Sequence, residues 1–305
     1  MRFLTSAIVW LLFLNYSSSQ DLVPGYHLEP GKKYFISQEL NQRTSTEGEL
    51  IGNVSLDIKS TLEMEVLSVD ESGIYTLSCS YSGLELDFFS PRRDISISSS
   101  NHAFSPVKEY LKELEKKHFT VQMSPYGKFI RVNDLDSIID ALSLDTGTSV
   151  EFEQQALVRK TIQEAFGVFA LLNISNIAMH VYGDSCLDNC TKENRVLFNA
   201  RMVNITNNLY YSMTNDPAWR IQGVGIIHET NTTIEMNEYN LVTDLKGSQT
   251  YDLLFNAETG WIKEGISKQR IQALSGLKDH DELPEGLKIP SLTETEFVFR
   301  GGKIN

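Results

Sequence analysis

Residues 56–66 alternate strictly between apolar and polar. Leu56, Ile58, Leu62, Met64 and Val66 share one face, interrupted by Ser60, while Asp57, Lys59, Thr61, Glu63 and Glu65 share the other. Period two over such a length predicts a strand with one buried and one wet face. Asp70-Glu71-Ser72-Gly73 predicts a turn, and Tyr75, Leu77, Cys79 and Tyr81 carry the apolar face back, so the two runs predict a long antiparallel hairpin. The phase slips at Ser82-Gly83, because the next apolar set, Leu84, Leu86 and Phe88, is even-numbered. A bulge there restores the facing and bends the strand.

Helical spacing interrupts this strand-rich pattern in three places. Ser105-Pro106 supplies an N-cap and a first-turn proline, followed by the stripe Val107, Tyr110, Leu111 and Leu114. A hairpin is predicted over residues 119–132, turning at Ser124-Pro125-Tyr126-Gly127. Asp134 is then expected to cap a short helix presenting Leu135, Ile138, Ile139 and Leu142. Thr148 and Glu151 form a capping box that predicts a central helix over 150–172, with Val158, Ile162, Ala165, Phe166 and Phe169 on one stripe. Residues 166–172 are apolar nearly all round, so burial on several sides is expected.

From Arg195 onward alternation resumes. Val196, Phe198, Ala200 and Met202 open a strand, and the pair Asn207-Asn208 reads as a turn. Runs at 219–229, 232–242 and 251–255 extend the sheet, Thr259-Gly260-Trp261-Ile262 turns into another strand, and Thr293, Thr295, Phe297 and Phe299 suggest the last. A weak echo links residues 119–142 with residues 251–274. The expected fold is α+β: curved antiparallel sheet, in one unit or two pseudo-repeated ones, packed on helices at 105–117, 134–142 and 150–172. The expected divisions are a signal peptide at 1–19, a first strand-rich unit at 20–147, a central helix with a cysteine-containing loop at 148–190, and a second strand-rich unit at 191–305.

The N-terminus explains the first of these divisions. Arg2, the apolar run 7–14 and Ser17-Ser18-Ser19 have the order of a secretory signal, with cleavage expected after Ser19. The apolar run is too short for a membrane span, which needs roughly 20 residues. No later run is expected to span, since Asn173, Ser175 and Asn176 interrupt the apolar stretch before them. The 305-residue chain carries 27 basic and 40 acidic residues, a net charge of −13. That balance disfavours nucleic acid and anionic membrane surfaces as partners. Export permits disulfides. Cys186 and Cys190, four apart in a polar loop, are the expected pair, and Cys79 falls on an apolar strand face as a small core residue.

Candidate chemistry is sparse. Gly183-Asp184-Ser185-Cys186 resembles the first block of GDS-type serine hydrolases, but no Asp-x-x-His pair follows near the C-terminus to complete a nucleophile–base–orienter set. The histidines at 27, 102, 118, 180, 228 and 280 are scattered, with no metal-ligand spacing and no phosphate loop. His228 reads as structural, beside apolar strand neighbours. No catalytic residue, metal or cofactor is expected. Sequons at Asn53, Asn173, Asn204 and Asn231 matter only in a eukaryotic secretory pathway.

Three features together resemble a domain-of-unknown-function family of exported bacterial envelope proteins. They are the Tyr34-Phe35-Ile36-Ser37 strand with the hairpin over 56–66 and 74–82, the mid-chain Gly183-Asp184-Ser185, and the late Leu245-Lys246-Gly247 and Glu258-Thr259-Gly260-Trp261. Cys186 departs from the tryptophan expected at that position. The resemblance implies an envelope compartment and a β-rich fold, with no activity attached.

The expected function is therefore an exported, non-enzymatic binding protein. Its ligand would be a lipid or other hydrophobic molecule held between sheet and helices, by the logic of periplasmic lipoprotein carriers. Val158, Ile162, Phe166, Phe169 and Leu172 are the candidate lining, and a plain core role for the same residues is the competing expectation. A structural or protein-interaction module of the cell envelope is the alternative, and the serine hydrolase is the least favoured reading.

Overall fold

A computed structural model describes residues 25–46, 53–90, 95–99, 106–142, 152–183, 189–198, 201–214, 218–236, 239–278 and 288–304. The first strands are β1 (Lys33–Thr46), β2 (Val54–Val69), β3 (Tyr75–Ser90) and the short β4 (Ile95–Ser98). Helix α1 (Pro106–Glu115) precedes β5 (His118–Met123) and β6 (Phe129–Asn133). Then come α2 (Leu135–Ala141), α3 (Phe152–Phe166), α4 (Val168–Ile174) and a π-helical turn (Ser175–Met179). The second set of strands is β7 (Asn189–Phe198), β8 (Arg201–Met213), β9 (Ala218–Met236), β10 (Tyr239–Asn256), β11 (Ile262–Lys278) and β12 (Lys288–Ile304).

All these strands belong to one open antiparallel sheet, ordered β6-β5-β3-β2-β1-β12-β11-β10-β9-β8-β7, with β4 paired to β3. First and last strands pair at its centre over the whole length of β1, from Lys33 opposite Ile304 to Thr46 opposite Ser291. The expected α+β fold with a curved antiparallel sheet is what forms. The hairpin of β2 and β3 turns as anticipated: Gly73 takes a φ of 76°, and the Asp70 side chain accepts from the Ser72 and Ile74 amides. The phase slip is a bulge, with Lys59 opposite Glu85 but Thr61 opposite Ser82, and Gly83 at φ 62°. Tyr81 and Leu84 are thereby both buried.

An open sheet leaves unpaired N–H groups on its edge strands, and these need partners. The helical segment supplies them at both edges. Ser175 Oγ accepts from the Phe129 amide of β6 and donates to the Gly127 carbonyl. Two residues earlier, the Asn173 side-chain oxygen accepts from Leu197 N of β7. The stretch Val158–Met179 has the length and apolarity of a membrane span, yet 61% of its most apolar window is buried within the protein. Two of the polar residues that interrupt it, Asn173 and Ser175, each accept from one edge-strand amide.

Several expectations are corrected. Asp134 stands at the N-cap of α2 in a left-handed conformation (φ 69°) and makes no side-chain cap bond. The central helix does not end at 172: it breaks at Gly167, whose amide bonds to Gln163 O, restarts as α4 and widens into the π-helical turn, where His180 N donates to Ser175 O. Asn207-Asn208 is no turn, because β8 runs straight through it and the strand alternation Val203, Ile205, Leu209, Tyr211 outweighs local asparagine preference. The stretch expected as a strand at 232–242 straddles β9 and β10. His228 is exposed on the outer face of β9 rather than packed. Thr148, Glu151 and Ser105, which carried the predicted helix starts, lie outside the described residues, as do the signal segment, Asp184, Ser185 and Cys186.

Candidate functional site on the inner face of the curved sheet

At the β10–β11 turn the inner face is closed by protein. The segment before β1 runs between two turns, with Tyr26 N donating to Pro125 O and His27 N to Thr259 O. Tyr26 packs edge-on against Tyr182 and Trp261, and Tyr182 against Phe255, with ring centroids 5.2–5.8 Å apart. Each polar tip in this cluster finds a backbone acceptor. Tyr26 OH donates to Met179 O, Tyr182 OH to Gly260 O and Trp261 Nε1 to Phe35 O, at 2.8–3.0 Å. Aromatic bodies with satisfied tips make a stiff plug. Burial raises the Tyr26 and Tyr182 hydroxyl pKa values well above the ordinary tyrosine range.

The middle of the same face is different. One row of mutually opposite residues crosses six strands: Asn207 on β8, Gly225 on β9, Gln249 on β10, Gln269 on β11, Thr295 on β12 and Gln42 on β1. These six residues are inward-facing and neutral, and the row continues on β7 as Lys192, opposite Asn207, whose Nζ donates to the Tyr182 carbonyl. Gln269 Nε2 donates to Gln249 Oε1 at 2.8 Å, Gln249 Nε2 donates to Ser267 Oγ at 2.9 Å, and Thr295 Oγ1 donates to Gln42 Oε1 at 3.3 Å. Gly225 makes the row possible at β9, since a Cβ there would stand 2.2 Å from Asn207 Oδ1. Without a side chain at that position, the Asn207 amide can lie across the strand.

Not every group in this region is paired. Asn207 is 0% exposed, yet neither its Oδ1 nor its Nδ2 has a hydrogen-bond partner. Tyr251, two residues from Gln249 on the same face, is 5% exposed; its hydroxyl lies near the Asn207 and Gln249 amides without a well-directed bond to either. Burial pushes its pKa upward. Gln38 Oε1 is likewise buried and unpartnered. The charged residues around the row, Lys246 and Asp252 on β10, Lys268 and Arg270 on β11, and Glu294 on β12, are all exposed at positions of opposite parity, on the outer face.

Four residues further along the strands, about 13 Å at the usual rise, a recess of about 540 Å³ opens at the rim. Most of its lining has outer-face parity, including Lys246, Gln272 and Leu292, while Thr46, Ala273 and Ser291 come from the inner face. Along the strands, the amide row lies between the aromatic plug and this recess.

The sequence-derived lining residues are distributed unevenly. Ile162 and Phe166 are fully buried, and Phe166 packs against Tyr81, whose hydroxyl donates to Phe166 O. Val158 and Leu172 are half-buried against the core, while Phe169 is 54% exposed. Cys190 lies on β7 with its sulfur 3.4 Å from the Tyr211 hydroxyl. Cys79 is fully buried, and burial pushes its thiol pKa upward. Asn207, Gln249, Gln269 and Tyr251 were missed. The signal that could have found them was polar residues at inward parity within otherwise apolar strand faces.

The family model described as "Family of unknown function (DUF6263)" matches residues 72–262. No curated protein matches. Among solved structures, one titled "Lipid-protein interactions in lipovitellin" superposes with a TM-score of 0.50 at 10% identity over 91% of this chain. This chain spans only 26% of that one, and the likeness is one of fold. The COG4313 outer membrane channel from Pseudomonas putida F1 aligns over 91% of this chain and 97% of its own at 8% identity, with a TM-score of 0.24 that carries no argument.

Proposed function

The chain belongs to the DUF6263 family, whose function is unknown, and from that premise we propose that it is an exported, non-enzymatic protein that holds a lipid-like molecule inside its curved sheet. The observation that carries this reading is the split character of the enclosed face. It is aromatic and sealed at the β10–β11 turn, and polar and incompletely hydrogen-bonded in its middle, with the inward cation Lys192 held by the Tyr182 carbonyl and a recess at the rim that inner-face residues share. Burying an amide without a partner costs about 1–3 kcal/mol. A face that carries several such groups suits a molecule with both apolar and hydrogen-bonding parts. The rim recess falls within the few-hundred-Å³ range of small-molecule sites. Lipovitellin, whose title speaks of lipid–protein interactions, lends support only through its fold.

Export would proceed by the signal at 1–19, and Cys186 would then pair with Cys190 in the oxidising compartment. An interaction module built on free sheet edges finds less support, because helix side chains meet both edges.

The test is native mass spectrometry of protein purified without detergent from its own host. The expected result is a bound mass above that of the mature polypeptide, released on denaturation, together with binding of an apolar fluorescent probe. A bare polypeptide mass combined with no probe binding would refute the reading.

A further inference from the structure

The geometry points to Asn207 and Tyr251 as a polar subsite for an uncharged lipid head bearing hydroxyl or ester groups. This deepens the proposed enclosure and rests on it. Asn207 offers a buried donor and acceptor from one planar amide, neither with a well-directed partner although the Tyr251 hydroxyl lies beside it. Tyr251 adds a hydroxyl that can donate or accept. The bonds already made by Gln249, Ser267 and Gln269 hold the neighbouring amides in place, so their free valences are fixed in direction.

The chemistry of the head follows from what is near the row and what is not. The basic side chains of β10 and β11 nearest the row, Lys246, Lys268 and Arg270, project outward, and Lys192, which stands opposite Asn207 on β7 at inward parity, already gives its Nζ to the Tyr182 carbonyl, so an anionic head placed at Asn207 would lack an uncommitted counter-charge. Burying an unpaired charge is far more costly than burying a hydrogen-bonded neutral group. An uncharged head, by contrast, can accept from Asn207 Nδ2 through an ester or hydroxyl oxygen and donate to Asn207 Oδ1 through a hydroxyl. The acyl part would then extend along the inward apolar positions of the neighbouring rows, such as Leu40 and Phe297.

The experiment uses the mature full-length chain stripped of bound ligand, an apolar fluorescent probe, and two competitors with the same acyl chain: 1-oleoylglycerol, which is uncharged, and oleate at pH 8, which is anionic. The wild type is expected to release the probe to 1-oleoylglycerol at a concentration at least about tenfold below that needed for oleate, equivalent to 1.4 kcal/mol. Asn207→Leu, which keeps the same number and branching of heavy atoms, is expected to erase that preference by weakening 1-oleoylglycerol alone. Tyr251→Phe removes only a hydroxyl and serves as the second variant if Asn207→Leu does not fold; it is expected to narrow the preference. Equal potency of the two competitors on the wild type, or an undiminished preference in both variants, overturns the polar subsite while leaving the enclosure standing. Failure of the probe to bind the wild type at all overturns the enclosure and the subsite together.

Discussion

The aromatic plug and the amide row lie on one face of one sheet, yet they treat polar groups in opposite ways. In the plug, Tyr26, Tyr182 and Trp261 are buried and each finds a backbone carbonyl. In the row, Asn207 and Tyr251 are equally buried and approach each other without a well-directed bond. Buried polar groups in native proteins are nearly always paired, so the exceptions call for an explanation. The plug is structure that is complete by itself; in the proposed reading, a bound molecule completes the row. Burial alone does not distinguish the two regions; hydrogen-bond satisfaction does.

The largest effect that would sharpen this contrast is expected at Gly260. Its φ is 69°, and a Cβ there would stand 1.8 Å from Gly25 O. Gly260→Ala therefore meets both a left-handed backbone penalty and a backbone clash. A loss above about 3 kcal/mol in urea unfolding is expected, and a loss under about 1 kcal/mol would mean that the turn does not hold the plug.

His180, beside the plug, comes next. Burial, with Lys192 and Lys128 nearby, lowers its pKa to about 3. Between about pH 6.5 and pH 3 the unfolded chain binds a proton there and the folded chain does not, so stability falls as pH falls through that window. The slope contributed is at most about 1.4 kcal/mol per pH unit. His180→Phe should flatten the acid limb of the stability curve by that amount, and unchanged curves would contradict the assignment. Tyr182→Phe is expected to have a smaller effect, about 1–3 kcal/mol, because it strands the buried Gly260 carbonyl.

The strands were legible where alternation was local. The face of β2, the turn at Gly73 and the phase slip at Gly83 all follow from spacing within a few residues. What escaped depends on contacts between distant residues. Tyr26 meets Met179 across 153 positions, and no periodicity announces it. The Asn207-Asn208 pair was misread because asparagine favours turns in isolation, whereas Gly225 on the adjacent strand gives the Asn207 side chain its place. The helix residues anticipated as ligand lining were chosen for apolarity, which core and cavity share. Ile162 and Phe166 lie in the core and Phe169 in solvent, so apolarity did not distinguish the roles.

The most direct test of the contrast between plug and row is the unfolding free energy of the ligand-free chain in two variants, Asn207→Leu and Tyr182→Phe. Removing a satisfied hydroxyl should destabilise, while removing an unsatisfied amide at constant shape should leave stability unchanged or raise it by about 1 kcal/mol. Opposite signs, or a neutral Asn207→Leu beside a clearly destabilised Tyr182→Phe, are the predicted result. An Asn207→Leu variant destabilised as much as Tyr182→Phe would show that the Asn207 amide is already satisfied by the protein, and would contradict the account.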